Sequence, residues 1–202
     1  MNIAEVQLVR KGVLGVAVLI GMLMFALTGS ALGRSRSVHE MVEWVGIVAI
    51  VMCILGRTWC TLYIGGRKID QFVTEGPYSI SRNPLYFFSI LGAAGAGAQV
   101  GSVVAAVVFG VLAWLVFYFV VLQEENLLAG RYGTAYETYL ATVPRFLPNP
   151  RLWRDAATIT VAPPKIVRTF ADAMIFLLVV PIAEGFEHLQ NIGILPILFR
   201  LP

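Results

Sequence analysis

Charged residues, cysteine and histidine are all scarce in this sequence. Asp, Glu, Lys and Arg account for 13% of the 202 residues, whereas soluble globular domains carry roughly 25% charged residues. Hydrophobic residues make up 58% of the chain and fall in several long runs. We therefore predict an integral membrane protein.

The scarcity of cysteine excludes a disulfide framework. Cys53 and Cys60 lie on one helical face of an apolar segment, with no histidine close by in the sequence. Two such thiols predict neither a zinc site nor a disulfide. We interpret both as buried packing residues.

Few residues could bind a metal ion. Glu184, Glu187 and His188 share a helical face, but their order does not match HExxH or its inverse. His39 is interpreted as a solvated loop residue beside Glu40. We therefore predict no metal site.

Long apolar segments predict the fold. A membrane-crossing helix needs roughly 20 mostly apolar residues. Apolar segments occupy residues 13–32, 41–64, 85–98, 102–122 and 170–195. The prediction is an all-α, polytopic membrane bundle with about five transmembrane helices.

The apolar run at 85–122 is too long for one crossing. Its small-residue stretch GAAGAGAQVG supplies a turn, so the run predicts a tight helical hairpin. Ala93, Gly97 and Gly101 are spaced so that helices can approach closely. A dinucleotide-binding glycine loop is excluded, because that motif requires a preceding strand.

Orientation follows from the distribution of Lys and Arg. With the N-terminus inside, the hairpin returns both long polar connectors to the cytoplasmic side, where most basic residues then lie; the other side holds only Arg34, Arg36 and Arg200. This asymmetry is typical of cytoplasmic loops. It also accounts for the net charge of +3 without a nucleic-acid partner. The basic residues on the predicted cytoplasmic side are Arg10, Lys11, Arg67, Lys68, Arg82, Arg131, Arg145, Arg151, Arg154, Lys165 and Arg168.

The last apolar segment contains charged residues. Residues 173–183 are too few to cross the membrane, so a span must extend to about 195 and take in Glu184, Glu187 and His188. Charged side chains at depth cost roughly 2.5–3.5 kcal/mol each, so we expect them to face the catalytic helices or a second subunit. A peripheral helix in the headgroup region is the alternative.

The connector segment GPYSISRNPLY, residues 76–86, predicts a rigid turn leading into a helix. Pro84 suits the first helical position and Asn83 the N-cap. Arg82, Asn83 and Tyr86 would then lie at the membrane surface, where the free amides of the helix N-terminus favour an anion. An interfacial belt of Tyr and Arg that anchors the helix is the alternative.

A second polar segment, EENLLAGRYGTAYETYLATVPRFLP, occupies residues 124–148. Glu124 and Glu125 come where the fourth helix leaves the membrane. Tyr132, Tyr136 and Tyr139 recur at helical spacing and predict an aromatic stripe on one face. Carboxylates at a helix C-terminus oppose the macrodipole, so they require a partner or a function.

Together the two segments resemble the isoprenylcysteine carboxyl methyltransferase and phospholipid methyltransferase superfamily. Its pattern is close to GPY…RHPxY followed, after a hairpin, by EExxL…(F/Y)GxxYxxYxxxVPRFIP. The resemblance implies a membrane enzyme that binds S-adenosylmethionine at the cytosolic face. It would methylate a lipophilic small molecule or a lipid within the membrane.

Carried over by position, the resemblance implies a set of site residues. Glu124 and Arg82 become candidate catalytic residues. The candidate cofactor-binding residues are Gly76, Pro77, Tyr78, Asn83, Tyr86, Glu124, Glu125, Tyr136 and Arg145. The chain then divides into a two-helix membrane segment (1–65), a methyltransferase core (66–152) and a C-terminal linker with an extra apolar helix (153–202).

Two positions depart from the pattern. Asn83 replaces the family's usual His and removes a titrating group. Val120 stands where the isoprenylcysteine enzymes carry Arg, which argues against a prenylcysteine carboxylate as substrate. An NADPH-dependent membrane reductase of the steroid or sterol reductase type, whose cofactor region looks similar, and a non-catalytic scaffold are the alternatives.

Overall fold

The computed structural model describes residues 21, 27–30, 36–65 and 72–201. The first predicted span, 13–32, lies only partly within these residues. Residues 66–71 of the connector lie outside them. The described elements are β1 (Thr28–Ser30), α1 (Arg36–Ile64), α2 (Pro77–Ile80), α3 (Pro84–Ala98), α4 (Val103–Tyr132), α5 (Thr134–Thr142), α6 (Pro163–Met174), α7 (Val179–Asn191) and β2 (Phe199–Leu201), with 3₁₀ turns at Pro150–Leu152 and Ile175–Leu178.

The protein is an all-α integral membrane protein. Ser37–Ile64, Val103–Tyr132 and Pro163–Asn191 are long and apolar enough to cross a membrane. Helix α3 is apolar but shorter, with 15 residues, or about 22 Å at 1.5 Å per residue. The strands among the described residues are β1 and β2, which form a short parallel pair.

Exposed apolar side chains on α1 and α4 agree with a lipid environment, because a soluble protein seldom exposes such a surface. The large exposed residues of these two helices are Met41, Trp44, Val45, Val48, Val51, Met52, Leu55, Ile64, Val103, Val104, Val107, Val111, Leu112, Trp114, Leu115, Phe119 and Leu127. Cys53 and Cys60 are instead free and buried, which confirms their predicted packing role.

The predicted hairpin is present, and its turn occupies residues 99–102. Gly101 has φ 69°, and Ser102 Oγ accepts a hydrogen bond from the backbone N–H of Ala105 at 3.2 Å. A Cβ added to Gly97 would lie 2.6 Å from the carbonyl oxygen of Ala105. The small residues therefore allow the close approach that the sequence predicts.

Helix α4 continues past the predicted end at 122 and stops at Tyr132. Most residues of the extension are good helix formers, and the helix ends before Gly133, which has φ 55°. Glu124 and Glu125 therefore lie about two turns inside the helix. The prediction that they lie at the C-terminus of the helix, where the macrodipole would oppose them, is wrong.

The C-terminal segment also differs from its prediction. Helix α6 begins at Pro163, and α7 follows after a 3₁₀ turn. Glu184, Glu187 and His188 are exposed in the single chain, so its described residues do not bury them; packing of this face against a second subunit stays a prediction. Helix α7 packs through Val179, Ala183 and Phe186 on a cluster that contains Val100, Ala105 and Phe109.

Two compact units make up the chain. The first contains Met1–Ile50, Ala93–Val116 and Phe176–Pro202, and the second contains Val51–Gly92 and Phe117–Ile175. Every candidate site residue named above belongs to the second unit.

Candidate active site

The two polar segments lie directly against each other in the second unit, held by backbone hydrogen bonds. The N–H groups of Arg82 and Asn83 donate to the carbonyl oxygens of Pro144 (2.9 Å) and Arg145 (3.2 Å). Further along, Asn149 N donates to Ile80 O at 2.8 Å. The connector and the VPRFLP segment thus form one structural element, although about 60 residues separate them in sequence.

The turn that starts this element depends on Gly76. This residue has φ 57°, and a Cβ there would lie 2.2 Å from the ring of Tyr63. Its N–H donates to the carbonyl oxygen of Arg154 at 2.7 Å. Gly76 and Pro77 are buried, so they shape the turn.

Glu125 is the centre of a charged network. Arg145 Nε donates to Glu125 Oε2 at 3.0 Å, and Arg145 Nη2 lies 2.9 Å from the same oxygen. Asn83 Nδ2 donates to Glu125 Oε1 at 3.2 Å, while Arg82 Nε lies 3.4 Å from that oxygen. One carboxylate thus contacts three of the predicted site residues.

The surroundings explain why this carboxylate can be buried. The Glu125 side chain is only 6% exposed, and those of Arg82 and Arg145 are 10% and 32% exposed. A carboxylate removed from water is tolerated when it is paired and hydrogen-bonded. The bond to Glu125 also raises the pKa of Arg145, so the guanidinium remains charged at neutral pH.

Asn83 precedes α3 as the sequence predicts, because its carbonyl oxygen accepts from Tyr86 N at 3.1 Å. Its side chain does not cap the helix, however. The amide donates instead to Glu125 and to the carbonyl oxygen of Arg145. The residue that departs from the family pattern therefore joins the charged network.

Glu124 has different partners from its neighbour. The Tyr86 hydroxyl donates to Glu124 Oε1 at 2.8 Å, and the Tyr86 ring packs against Phe117 with 4.9 Å between centroids. Successive residues on a helix point about 100° apart, so the two carboxylates enter different surroundings. Glu124 is half-buried beside aromatic rings.

The tyrosines do not form one helical stripe, because Gly133 separates Tyr132 on α4 from Tyr136 and Tyr139 on α5. The rings nevertheless converge: Phe72 lies 5.0, 5.4 and 5.7 Å from Tyr132, Tyr136 and Tyr139. The prediction was right about the grouping and wrong about the single helix. Sequence reasoning also missed Phe72, which has no helical register with the tyrosines.

Burial keeps the deeper tyrosines protonated. It raises the pKa of Tyr136 to about 12 and raises the pKa of Tyr139 further. The Tyr139 hydroxyl donates to the carbonyl oxygen of Tyr78 at 2.7 Å. This bond fixes α5 against the connector.

Tyr78 carries a buried hydroxyl that has no hydrogen-bond partner among the described residues. Desolvation by burial raises its pKa well above the ordinary value, and the charge of Glu124 and the nearby Tyr86 hydroxyl add to the effect. A buried polar group without a partner is costly. The described residues leave this cost without compensation.

Arg57 on α1 donates to the hydroxyl of Ser89 through Nη1. It is half-buried, and this bond links α1 to α3 within the second unit. Two other contacts were not foreseen from sequence: Arg145 lies over the Tyr118 ring at 5.6 Å, and Trp59 stacks on Trp153 at 5.7 Å.

An open groove of about 580 Å³ lies on the surface of the second unit. Its volume falls within the roughly 300–1,000 Å³ of small-molecule sites. Arg82 is the member of the charged network that lines it, together with residues 140–144 and 147–150. Tyr86 and Glu124 do not line it, so the groove and the Glu124 surroundings are different regions.

Comparison with known proteins agrees with the motifs. The family described as phospholipid methyltransferase (PEMT) matches residues 16–135. Protein-S-isoprenylcysteine O-methyltransferase B of Arabidopsis thaliana is 26% identical over 118 residues, which cover 52% of this chain and 60% of the relative. This chain therefore belongs to the phospholipid methyltransferase family, as its motifs predict.

Two bacterial relatives are similar over a larger part of the chain. The nickel-cobalt-cadmium resistance protein NccN of Alcaligenes xylosoxydans xylosoxydans is 32% identical over 186 residues, covering 92% of this chain and 87% of the relative. The cobalt-zinc-cadmium resistance protein CzcN of Cupriavidus metallidurans is 33% identical over 175 residues, covering 85% and 81%. No solved structure matches this chain significantly.

Proposed function

We propose that this protein is an S-adenosylmethionine-dependent methyltransferase that acts on a lipophilic or amphiphilic substrate at the membrane surface. Membership of a methyltransferase family supports this proposal. So does the membrane-spanning length of three of its helices. The observation that carries it is the junction of the GPYSISRNPLY and EExxL…VPRFLP segments around Glu124 and Glu125.

The residues at this junction suit a cofactor that has both a positive charge and a carboxylate. Glu124 and the Tyr86 ring offer negative charge and an aromatic face, which attract a sulfonium; the cation–π part contributes roughly 0.5–2 kcal/mol. The Tyr78 hydroxyl is a buried donor without a described partner. Arg145, one-third exposed, can still pair with a ligand carboxylate.

When bound, the cofactor would supply an electrophilic methyl group, and the chain's own residues would position the acceptor. In-line transfer gains most from correct placement of the reacting groups. If the acceptor is an amine, Glu124 is the nearest candidate to take its proton. Arg82 contributes by holding Glu125 and the carbonyl oxygen of Leu140 (3.3 Å), a positioning role.

Titration of the detergent-purified chain with S-adenosylhomocysteine and, in parallel, NADPH tests the proposal. We expect saturable binding of S-adenosylhomocysteine and none of NADPH. Glu124→Gln should weaken binding about tenfold or more, since one hydrogen bond to a charged group contributes roughly 1.5–3 kcal/mol. Glu137→Gln, on the exposed face of α5, is the matched control.

Binding of NADPH alone would replace this proposal with the reductase alternative. Binding of neither compound would favour a non-catalytic role for the junction.

We further propose that the N-terminus and the site face the cytoplasm, on the basis of the Lys and Arg distribution. Single cysteines at Thr134 and Thr158, both exposed, should be labelled from the same side in a background without Cys53 and Cys60. A cysteine at exposed Ser37 should be labelled from the other side. Labelling of all three from one side would contradict this topology.

We also infer a role for this activity in tolerance of divalent metals. The support is the two relatives named for resistance to nickel, cobalt, zinc and cadmium, which align with most of this chain. A deletion strain should grow less well than its parent in graded zinc or cobalt. If methyl transfer is required, the wild-type gene should restore growth and Glu124→Gln should not.

A further inference from the structure

A group of potential metal ligands in the first unit shares no residue with the site described above. His39 and Glu43 are one turn apart on α1, and Glu187 comes from α7. Each offers one ligand atom, and these atoms all lie within 4.8 Å of one another. We propose that His39, Glu43 and Glu187 bind a first-row divalent cation of the Zn²⁺ or Co²⁺ type.

The donor set suits such an ion. One imidazole nitrogen and two carboxylate oxygens match the preferences of Zn²⁺ and Co²⁺, and three protein ligands leave a position for water. Ligand distances of about 2.0–2.2 Å imply separations of about 3.4 Å between ligand atoms in a tetrahedral site. His39 Nε2 and Glu43 Oε1 are already 3.1 Å apart.

The position of His39 is set by its packing. This side chain is 16% exposed and lies in the first turns of α1, not in the solvated loop that the sequence suggests. A Cβ on Gly101 would lie 1.9 Å from His39 Nδ1, so only glycine leaves room for the ring. Since Nδ1 is enclosed, with no hydrogen-bond partner among the described residues, Nε2 is the nitrogen that can bind an ion.

Glu43 is held on the same structural frame. Gln99, in the hairpin turn, donates through Nε2 to the backbone carbonyl oxygens of Glu43 (3.1 Å) and Gly95 (3.3 Å). The turn that carries Gly101 is thereby tied to the part of α1 that carries the two ligands. A rigid frame of this kind lowers the cost of assembling a metal site.

The charges also favour a cation. Besides His39, the charged groups that act on Glu43 include the carboxylates of Glu187 and Glu184. The Glu43 side chain is 28% exposed, so solvent only partly screens this repulsion. A divalent ion would neutralise the cluster, and exposed Glu187 gives it access from solvent.

Metal binding to the full-length, chelator-treated chain in detergent tests this assignment. Equilibrium dialysis with Zn²⁺ should show one saturable equivalent, and Co²⁺ should give a visible absorption band. His39→Ala and Glu187→Gln should each weaken binding tenfold or more. The matched controls His188→Ala and Glu40→Gln change a neighbouring residue of the same type and should bind as the wild type does.

A change in folding is separated from a loss of ligands by thermal unfolding. Zn²⁺ should raise the Tm of the wild type by mass action and leave the Tm of Glu187→Gln unchanged. Glu187 is exposed, so its substitution leaves the packing intact even if His39→Ala misfolds. The absence of saturable binding by the wild type, or wild-type affinity in both ligand variants, would overturn the assignment and leave only a contact between His39 and Glu43.

Discussion

The second unit surrounds its buried carboxylate with cations, whereas the first unit places a carboxylate among other carboxylates. Glu125 is paired with Arg82 and Arg145 and accepts a hydrogen bond from Asn83. Glu43 has His39 as its described basic partner, with Glu184 and Glu187 acting on it as like charges. Both clusters are partly shielded from water. Of the two, only the Glu125 cluster is balanced by the basic residues described around it.

The Glu125 cluster is therefore a preformed network, whereas the Glu43 cluster is a site that a bound cation would stabilise. A buried ion pair with its hydrogen bonds made is stable without further partners, although it adds little over apolar packing. A carboxylate cluster with one imidazole is stabilised when a cation enters. The same residue type therefore organises the candidate active site in one unit and offers metal ligands in the other.

The largest expected effect comes from breaking the balanced network with Glu125→Gln. Two arginines would lose their counter-charge, and disruption of a buried pair costs about 3–5 kcal/mol; one-third exposure of Arg145 favours the lower end. We expect the Tm in detergent to fall by about 6–12 °C. Glu137→Gln, which changes an exposed carboxylate, should leave the Tm nearly unchanged, and equal Tm values for both variants would show that the network is not structural.

A more specific change, Tyr86→Phe, removes the hydrogen bond to Glu124 and keeps the ring against Phe117. A hydrogen bond to a charged group contributes roughly 1.5–3 kcal/mol, so affinity for S-adenosylhomocysteine should fall about 10- to 100-fold. Calorimetry measures the affinity, and a Tm close to that of the wild type would show that the fold is intact. Unchanged affinity would remove Tyr86 and Glu124 from the proposed cofactor site.

On the other side of the comparison, Gly101→Ala should disturb the proposed metal site without changing a ligand. The added Cβ would collide with His39, and a non-glycine residue in the left-handed region costs about 1–2 kcal/mol. We expect a lower Tm and weaker Zn²⁺ binding. Gly130→Ala, which meets open space, is the control and should be neutral or slightly stabilising; wild-type Zn²⁺ affinity in Gly101→Ala would show that the ring position is unimportant.

The smallest effect is expected for Tyr139→Phe, which removes a neutral hydrogen bond to the Tyr78 carbonyl. Such a bond contributes roughly 0.5–1.5 kcal/mol, which corresponds to a Tm decrease of a few degrees. Because burial raises the pKa of Tyr139, the wild type should keep this stability below pH 10 and lose it progressively as pH rises above 10, the ordinary tyrosine pKa. The variant should lose less stability over that alkaline range, and identical profiles would contradict the assigned role.

Local patterns predicted much of the architecture. The GAAGAGAQVG stretch indicated the hairpin, and Asn83-Pro84 indicated the start of α3. The end of α4 was missed because Gln123, Glu124 and Glu125 are polar yet favour helix, so the loss of hydrophobicity was mistaken for the end of the helix. The prediction that three tyrosines form a stripe on one helix was wrong because Gly133 breaks the helix between them. Periodicity alone does not reveal such a break.

The grouping of the two polar segments was predicted, but the contacts between them were not. Motif order alone indicated that GPYSISRNPLY and EExxL…VPRFLP belong to one site. It did not indicate that Glu125 is paired with two arginines while Glu124 pairs with Tyr86. It also assigned Asn83 a capping role, whereas its amide is directed into the network.

The sequence by itself determined that this is a helical membrane protein of the phospholipid methyltransferase family, because apolar run length and motif order are one-dimensional properties. Only the tertiary structure decided which charges meet. His39 and Glu43 come from the beginning of α1, while Glu187 comes from α7, more than 140 residues later in the chain. Side-chain spacing along a helix extends over a few residues, so a cluster assembled from distant helices leaves no periodic signal in the sequence.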